Sequence, residues 1–203
     1  MPDPLTFQEK VDMAHKLSRS VENRLAILSD KLVTGDITIL DWQIGFRDEL
    51  RKANALFLVI AAGGDKSQVN PDDWLKLGSE LQSQYRYLEN FADDILNGKV
   101  TGGAVATRAE LYAGSAKTTF WRQITSQLEA EVDLPAQPGD GSTACLGRCY
   151  CYWTFAYEYD ADGNVVAVLA TWNLGNPPHG HCNDCPDRAE EWNPLRIEVA
   201  VTA

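Results

Sequence analysis

The amino-acid sequence predicts an α+β fold, with an N-terminal helical bundle or set of long helical hairpins over residues 1–134 and a small antiparallel β-sheet over 135–203. Three observations predict it. The apolar period is three to four before Asp133 and two after Ser142. The stretch between them, Pro135-Ala136-Gln137-Pro138-Gly139-Asp140-Gly141-Ser142, is built from turn formers. Beyond it lie all five cysteines and two of the three histidines, within 41 residues.

The first helix is predicted from Phe7, where Phe7, Val11, Ala14, Leu17, Val21, Leu25, Leu28 and Leu32 fall on one face and Thr34-Gly35 supplies the stop. Asp36 or Thr38 caps a second helix with the stripe Trp42, Phe46, Leu50, Ala53, Phe57 and Ile60, ending at Gly63-Gly64. Its last turns, Ala55 to Ala62, are apolar all round and are expected to be buried on several sides. The third helix starts at Asn70-Pro71-Asp72-Asp73, with a cap, a proline at the first helical position and two acids on the positive end of the dipole. Its stripe is Trp74, Leu77, Leu81, Tyr85, Leu88, Phe91 and Ile95, and Asn97-Gly98 stops it. A fourth helix is expected from about Ala104 to Val132, with Gly114 as a weak point and Leu111, Phe120, Ile124 and Leu128 facing inward.

After the linker, Cys149, Cys151, Trp153, Phe155, Tyr157 and Tyr159 share one strand face. Asp160 to Asn164 makes the turn, Val165 to Trp172 returns, and Leu195 to Val201 supplies a third strand.

Composition narrows the function. Hydrophobic residues make up 44% of the chain and charged residues 23%, which is ordinary for a packed globular protein. The net charge is -11, and residues 135–203 hold only Arg148, Arg188 and Arg196 against nine carboxylates. Nucleic-acid binding needs a basic face, so no direct nucleic-acid contact is expected. The longest apolar run, Ala55 to Ala62, is about half of what a membrane span requires. Met1-Pro2-Asp3-Pro4 has neither the basic region nor the apolar core of a secretory signal. The expected compartment is therefore reducing, where cysteines are thiols or metal ligands.

Cys145-x3-Cys149-x-Cys151 and His179-x-His181-Cys182-x2-Cys185 carry the chemistry. They sit in the segment least able to build its own core, where a structural metal is a usual remedy. The expected metal is structural zinc in a zinc-ribbon-like domain, because zinc takes four ligands and Cys-x2-Cys presents two thiolates to one ion. The predicted ligands are Cys182 and Cys185 with two of Cys145, Cys149 and Cys151, the pair Cys145 and Cys149 being preferred. Cys149 with Cys151, or a histidine in place of one thiol, are the alternatives. His179 and His181 read as loop residues and His15 as a surface or boundary histidine. Asp160-x-Asp162-Gly163-Asn164 resembles the start of a calcium loop but lacks the closing glutamate, so it reads as a hairpin turn. Walker, dinucleotide-binding, nucleophile-elbow and His-Glu-x-x-His motifs are absent from the sequence, and no enzymatic activity is expected.

The stretch from Leu134-Pro135 through Gly139-Asp140-Gly141 to Cys145, Cys149 and Cys151, taken with Cys182 and Cys185, resembles the C-terminal part of tailed-phage minor head, or head-morphogenesis, proteins. Those combine a Cys-x2-Cys pair with a Cys-x-Cys segment. Here the Cys-x2-Cys pair follows the hairpin instead of preceding the other cysteines. Ala61-Ala62-Gly63-Gly64, Gln84-Tyr85-Arg86-Tyr87-Leu88 and Tyr112-Ala113-Gly114 are similar to text in phage structural proteins. The resemblance implies a virion component of the head, minor capsid, portal-adjacent or decorating, made in the host cytoplasm. Its expected partners are other virion proteins, capsid or portal, met in multiple copies. Some of Trp42, Phe46, Trp74, Tyr85, Phe91, Phe120 and Trp121 are expected to face such a partner. The rival expectation is a zinc-ribbon adaptor binding a phage or host protein outside the particle.

Overall fold

The structure is a computed structural model and describes residues 4–178 and 180–199. Four long helices come first: α1 (Phe7–Thr34), α2 (Ile39–Ala61), α3 (Pro71–Leu96) and α4 (Gly102–Thr125). A three-stranded antiparallel sheet follows, β1 (Tyr152–Tyr159), β2 (Val165–Asn173) and β3 (Leu195–Glu198), with the short helix α5 (Asp184–Glu191) inserted before β3. The fold is α+β. None of the described helices is long and apolar enough to cross a membrane.

The caps explain the helix starts. Thr6 and Glu9 form a reciprocal capping box on α1, and Thr38 with Asp41 forms a second on α2. Each box satisfies backbone N–H groups that the first turn leaves without partners. Asn70 accepts from the Asp72 N–H at 3.0 Å, with Pro71 in the first turn of α3. Gly35 closes α1 in the left-handed conformation.

Helices α1, α2 and α4 pack on one another, and α3 packs on α2. Trp42 sits between Phe46, with ring centroids 4.9 Å apart, and Phe91, at 5.8 Å. Asn54 is fully buried but satisfied, donating to the Leu50 carbonyl at 2.8 Å and accepting from the Thr119 hydroxyl at 2.6 Å. Five of the seven aromatic residues named as candidates to face a partner fill the chain's own core instead. Trp42, Phe46, Phe91, Phe120 and Trp121 are fully buried, and Trp74 and Tyr85 are half-buried. The stripes of the five buried rings coincide with the faces the helices present to one another, whereas Trp74 and Tyr85 keep part of their surface exposed.

Other expectations change in detail. Helix α4 ends at Thr125, not near Val132, and Leu128 is only half-buried. Glu129, Glu131 and Asp133 would oppose the negative end of the helix dipole. Glu129 bonds the sheet instead, its N–H donating to the Tyr157 hydroxyl at 3.3 Å and its carboxylate accepting from Tyr159 at 3.1 Å. Leu111 is largely exposed, and the inward face of α4 is lined by Val105, Ala109, Ala113, Ala116 and Phe120. Strand β1 begins at Tyr152, after Cys149 and Cys151, because its partner β2 ends opposite at Asn173. Strand β3 ends at Glu198, and residues 200–203 lie outside the described residues.

The sheet register pairs Trp153 with Trp172 and Val168 with Ile197. The Asp160 carboxylate accepts from the N–H groups of Asp162 and Asn164, at 2.9 and 2.8 Å, which fixes the expected turn. Buried residues of the helices and those of the cysteine segment and sheet form one continuous core.

Candidate metal centre

Three pieces of chain bring the cysteines together. Cys145 and Cys149 flank a 3-10 turn, Leu146–Arg148, which lies against the middle of α4. The contact is backbone on backbone. A Cβ added to Gly147 would lie 2.7 Å from the Glu110 carbonyl, and one added to Gly114 would lie 2.9 Å from Gly147 Cα. Gly114 is therefore the position where α4 lets the cysteine turn approach.

Cys182 and Cys185 bracket the start of α5. Pro186 is tolerated in that first turn because its missing N–H would have no helical partner there. The helix is clamped at both ends. The Asp184 carboxylate accepts from the Ala144 N–H at 2.6 Å, and Arg188 donates to the Ser142 hydroxyl and carbonyl at 3.1 and 3.0 Å. The Arg188 guanidinium also lies over Trp172 and Trp192, at 5.3 and 5.2 Å from the ring centroids. Trp153, Trp172 and Trp192 form a cluster with centroids 5.1 to 5.6 Å apart. Helix α5 and this clamp were not expected from the sequence. The available signal was Asn183-Asp184-Cys185-Pro186-Asp187, with the same early proline and acids that mark α3.

The sulfurs of Cys145, Cys149 and Cys185 all lie within 4.8 Å of one another. Cys185 Sγ is 3.7 Å from Cys145 Sγ, 3.8 Å from Cys149 Sγ and 3.4 Å from Cys182 Sγ. Cys151 is buried next to this trio but is not one of the three mutually close sulfurs. Among the described residues, the buried Trp172 indole N–H has no hydrogen-bond partner. Cys149, Cys151 and Cys185 are buried, whereas Cys145 and Cys182 are half-buried. His181 is exposed, and His179 lies outside the described residues.

The electrostatics suit a cation. Hydrogen bonding from Cys145 holds the Cys149 thiol below its usual range. The Cys149 and Cys185 thiols hold Cys151 down to about 4. Cys185, crowded by the sulfurs of Cys145, Cys149 and Cys151, is pushed up. Neighbouring thiolates repel one another, so the sulfurs cannot all ionise together, a conflict that a divalent cation would relieve. The donor set, soft sulfurs drawn from a closed and buried cluster, fits a thiophilic metal ion. Three clustered cysteines that could hold a metal are therefore present.

The α-helical side supplies one more group. Lys117 of α4 is fully buried, and its ammonium donates to the Cys149 carbonyl. Burial lowers its pKa, and Cys149 and Glu22 act in the opposite direction. His15 is held at the boundary as expected, 5.3 Å from the Tyr150 ring, and burial pushes its pKa down to about 3.

No protein-family model matches the chain, and neither a curated protein nor a solved structure matches it.

Proposed function

We propose that the cysteine cluster is a structural zinc centre and that the chain is a structural protein of a tailed-phage head, acting by contact rather than catalysis. The sulfur spacing carries the first half of this reading. Zinc–sulfur bonds of about 2.3 Å in a tetrahedron give sulfur–sulfur edges of about 3.8 Å. The separations of 3.7 and 3.8 Å around Cys185 match that edge. Cys145, Cys149 and Cys185 would supply three corners, and Cys182, 3.4 Å from Cys185 but outside that trio, would close in to supply the fourth. A shell closed by four sulfurs leaves no position for water or substrate, which favours a structural over a catalytic ion. The ion ties α5 to the turn on α4 and so fixes the sheet against the helices.

The second half rests on the resemblance of the cysteine segment to phage head proteins. Its contact surface would use apolar side chains that the core does not take up, among them Leu40, Ile44, Leu75 and Tyr87, each more than half exposed. Two experiments test the two halves separately. Metal analysis of protein purified without chelator should find about one zinc per chain, and protein without bound metal rejects the centre. Mass spectrometry of purified particles should find the chain as an abundant component. Its absence from intact particles, with normal capsids after deletion of its gene, rejects the virion role and favours an adaptor acting outside the particle.

A further inference from the structure

Cys185 is the member that the sulfur contacts share. Its Sγ lies 3.7 Å from Cys145 Sγ, 3.8 Å from Cys149 Sγ and 3.4 Å from Cys182 Sγ. The shortest of these separations joins two cysteines 3 residues apart at the start of α5. The other two join segments 40 and 36 residues apart in the chain. A disulfide needs its sulfurs at about 2.05 Å. Closing the gap between Cys182 and Cys185 moves only the short link Asn183-Asp184 between them. Closing it from Cys145 or Cys149 would pull on the turn that Gly147 seats against Gly114.

Resting on the reading of this cluster as a zinc centre, we infer that the centre is a redox switch: a peroxide joins Cys182 to Cys185 as a disulfide, and the ion leaves.

The half-buried Cys182 sulfur attacks one oxygen of hydrogen peroxide, the O–O bond breaks, a sulfenic acid forms and hydroxide leaves. The Cys185 sulfur then attacks the Cys182 sulfur, the S–O bond breaks and a second hydroxide leaves. Both thiolates are thereby oxidised and the peroxide is reduced, with protons from solvent turning each hydroxide into water. Cys145 is half-buried too, so exposure does not choose between it and Cys182. Distance and chain spacing do.

The disulfide removes the sulfur at the centre of the close contacts and a member of the tight trio. Cys145, Cys149 and the buried Cys151 remain and cannot close a four-sulfur shell. The new bond does not replace the ion mechanically. Zinc ties α5 to a turn 40 residues earlier, whereas the disulfide closes a loop so short that it constrains little of the unfolded chain. Oxidation therefore loosens the segment from α4. Reduction of the disulfide returns both thiolates, and the ion rebinds.

The test uses the full zinc-loaded chain. Hydrogen peroxide should release about one zinc for each disulfide formed, read with a chromophoric chelator. Peptide mapping after the free thiols are trapped should find Cys182 joined to Cys185 in the first disulfide to appear. A phosphine reductant followed by added zinc should restore the metal content. Hydrogen–deuterium exchange of the oxidised chain should show residues 135–199 losing protection. A first disulfide that includes Cys145 or Cys149, zinc retained in chains that carry the Cys182–Cys185 bond, or unchanged protection after zinc release overturns the switch. So does zinc lost only with irreversible sulfur oxides. A zinc-loaded chain that keeps its ion and its thiols under peroxide overturns the switch and leaves the metal centre standing. A chain that purifies without zinc overturns the centre and the switch with it.

Discussion

Gly114 and Gly78 both sit inside helices, and only Gly78 follows the rule that glycine weakens a helix interior. Nothing lies within 4 Å of a Cβ placed on Gly78, so Gly78→Ala should stabilise the chain by about 0.5 to 1 kcal/mol through helix propensity alone. At Gly114 the same methyl meets the backbone of Gly139 and Gly147. Gly114→Ala should cost about 2 kcal/mol or more, because backbone cannot rotate out of the way. Urea denaturation of the two variants checks both signs, and equal effects would reject the close approach. His15 gives a pH signature. Its folded pKa of about 3 lies below the ordinary 6.5, so the unfolded chain takes up the proton first as pH falls. The stabilisation is full above pH 6.5 and is lost progressively toward pH 3. By pH 4.5 the parent should have lost about 2 kcal/mol more than His15→Gln, relative to pH 7.5. Parallel pH dependences in urea titrations would reject it.

Helix α5 shows how a short element of only eight residues is held where its own propensity could not hold it. Its stability comes from the Asp184 and Arg188 contacts to the 142–144 segment and from the tryptophan cluster. Arg188 uses two N–H groups on Ser142 and its flat face on two indoles, a combination that lysine cannot reproduce. Arg188→Ala should weaken metal binding about 10- to 100-fold, as loss of supporting contacts around ligands does. Arg188→Lys should restore little of it. Competition with a chromophoric chelator measures both, and rescue by lysine would show that only the charge matters. The sequence rules that located α3 from Asn70-Pro71-Asp72-Asp73 apply only in part to Asn183 through Asp187, where the proline stands at the third helical position and Asn183 makes no side-chain cap. What hid α5 was its length, too short for an apolar stripe to emerge.

On the scale of the whole molecule, the helices and the cysteine segment draw on different sources of stability while sharing one core. The helices carry long apolar faces and three side-chain caps, at Thr6, Thr38 and Asn70. The segment from Pro135 onward depends on the sulfur cluster, the tryptophans and its seat on α4. Chelation should therefore open residues 135–199 first, while α2 and α3 remain protected and α1 and α4 lose protection only along the faces near Lys117 and Gly114. Hydrogen–deuterium exchange with and without chelator resolves these segments. Uniform loss of protection across all four helices would mean that the metal supports the entire core.

The sequence by itself determined the α+β class, the four long helices, the hairpin turn at Asp160 and the cysteines from which a metal centre could be built. All of these follow from local rules: periodicity, caps, turn chemistry and ligand spacing act over a few residues and are legible in one dimension. Only the tertiary structure decided that Cys145, Cys149 and Cys185 form the tight trio, that Cys151 is buried while Cys182 is half-buried, and that Lys117 and Gly114 of a distant helix complete the seat. It also placed five of the aromatic candidates for a partner contact, Trp42, Phe46, Phe91, Phe120 and Trp121, in the chain's own core. The reason is physical. Cys145 and Cys185 are 40 residues apart in the chain but 3.7 Å apart at their sulfurs, and that closure depends on how Gly147 seats against Gly114 and Arg188 against two tryptophans. Each such contact joins residues whose spacing in sequence carries no period, so packing alone selects among the possible ligand sets.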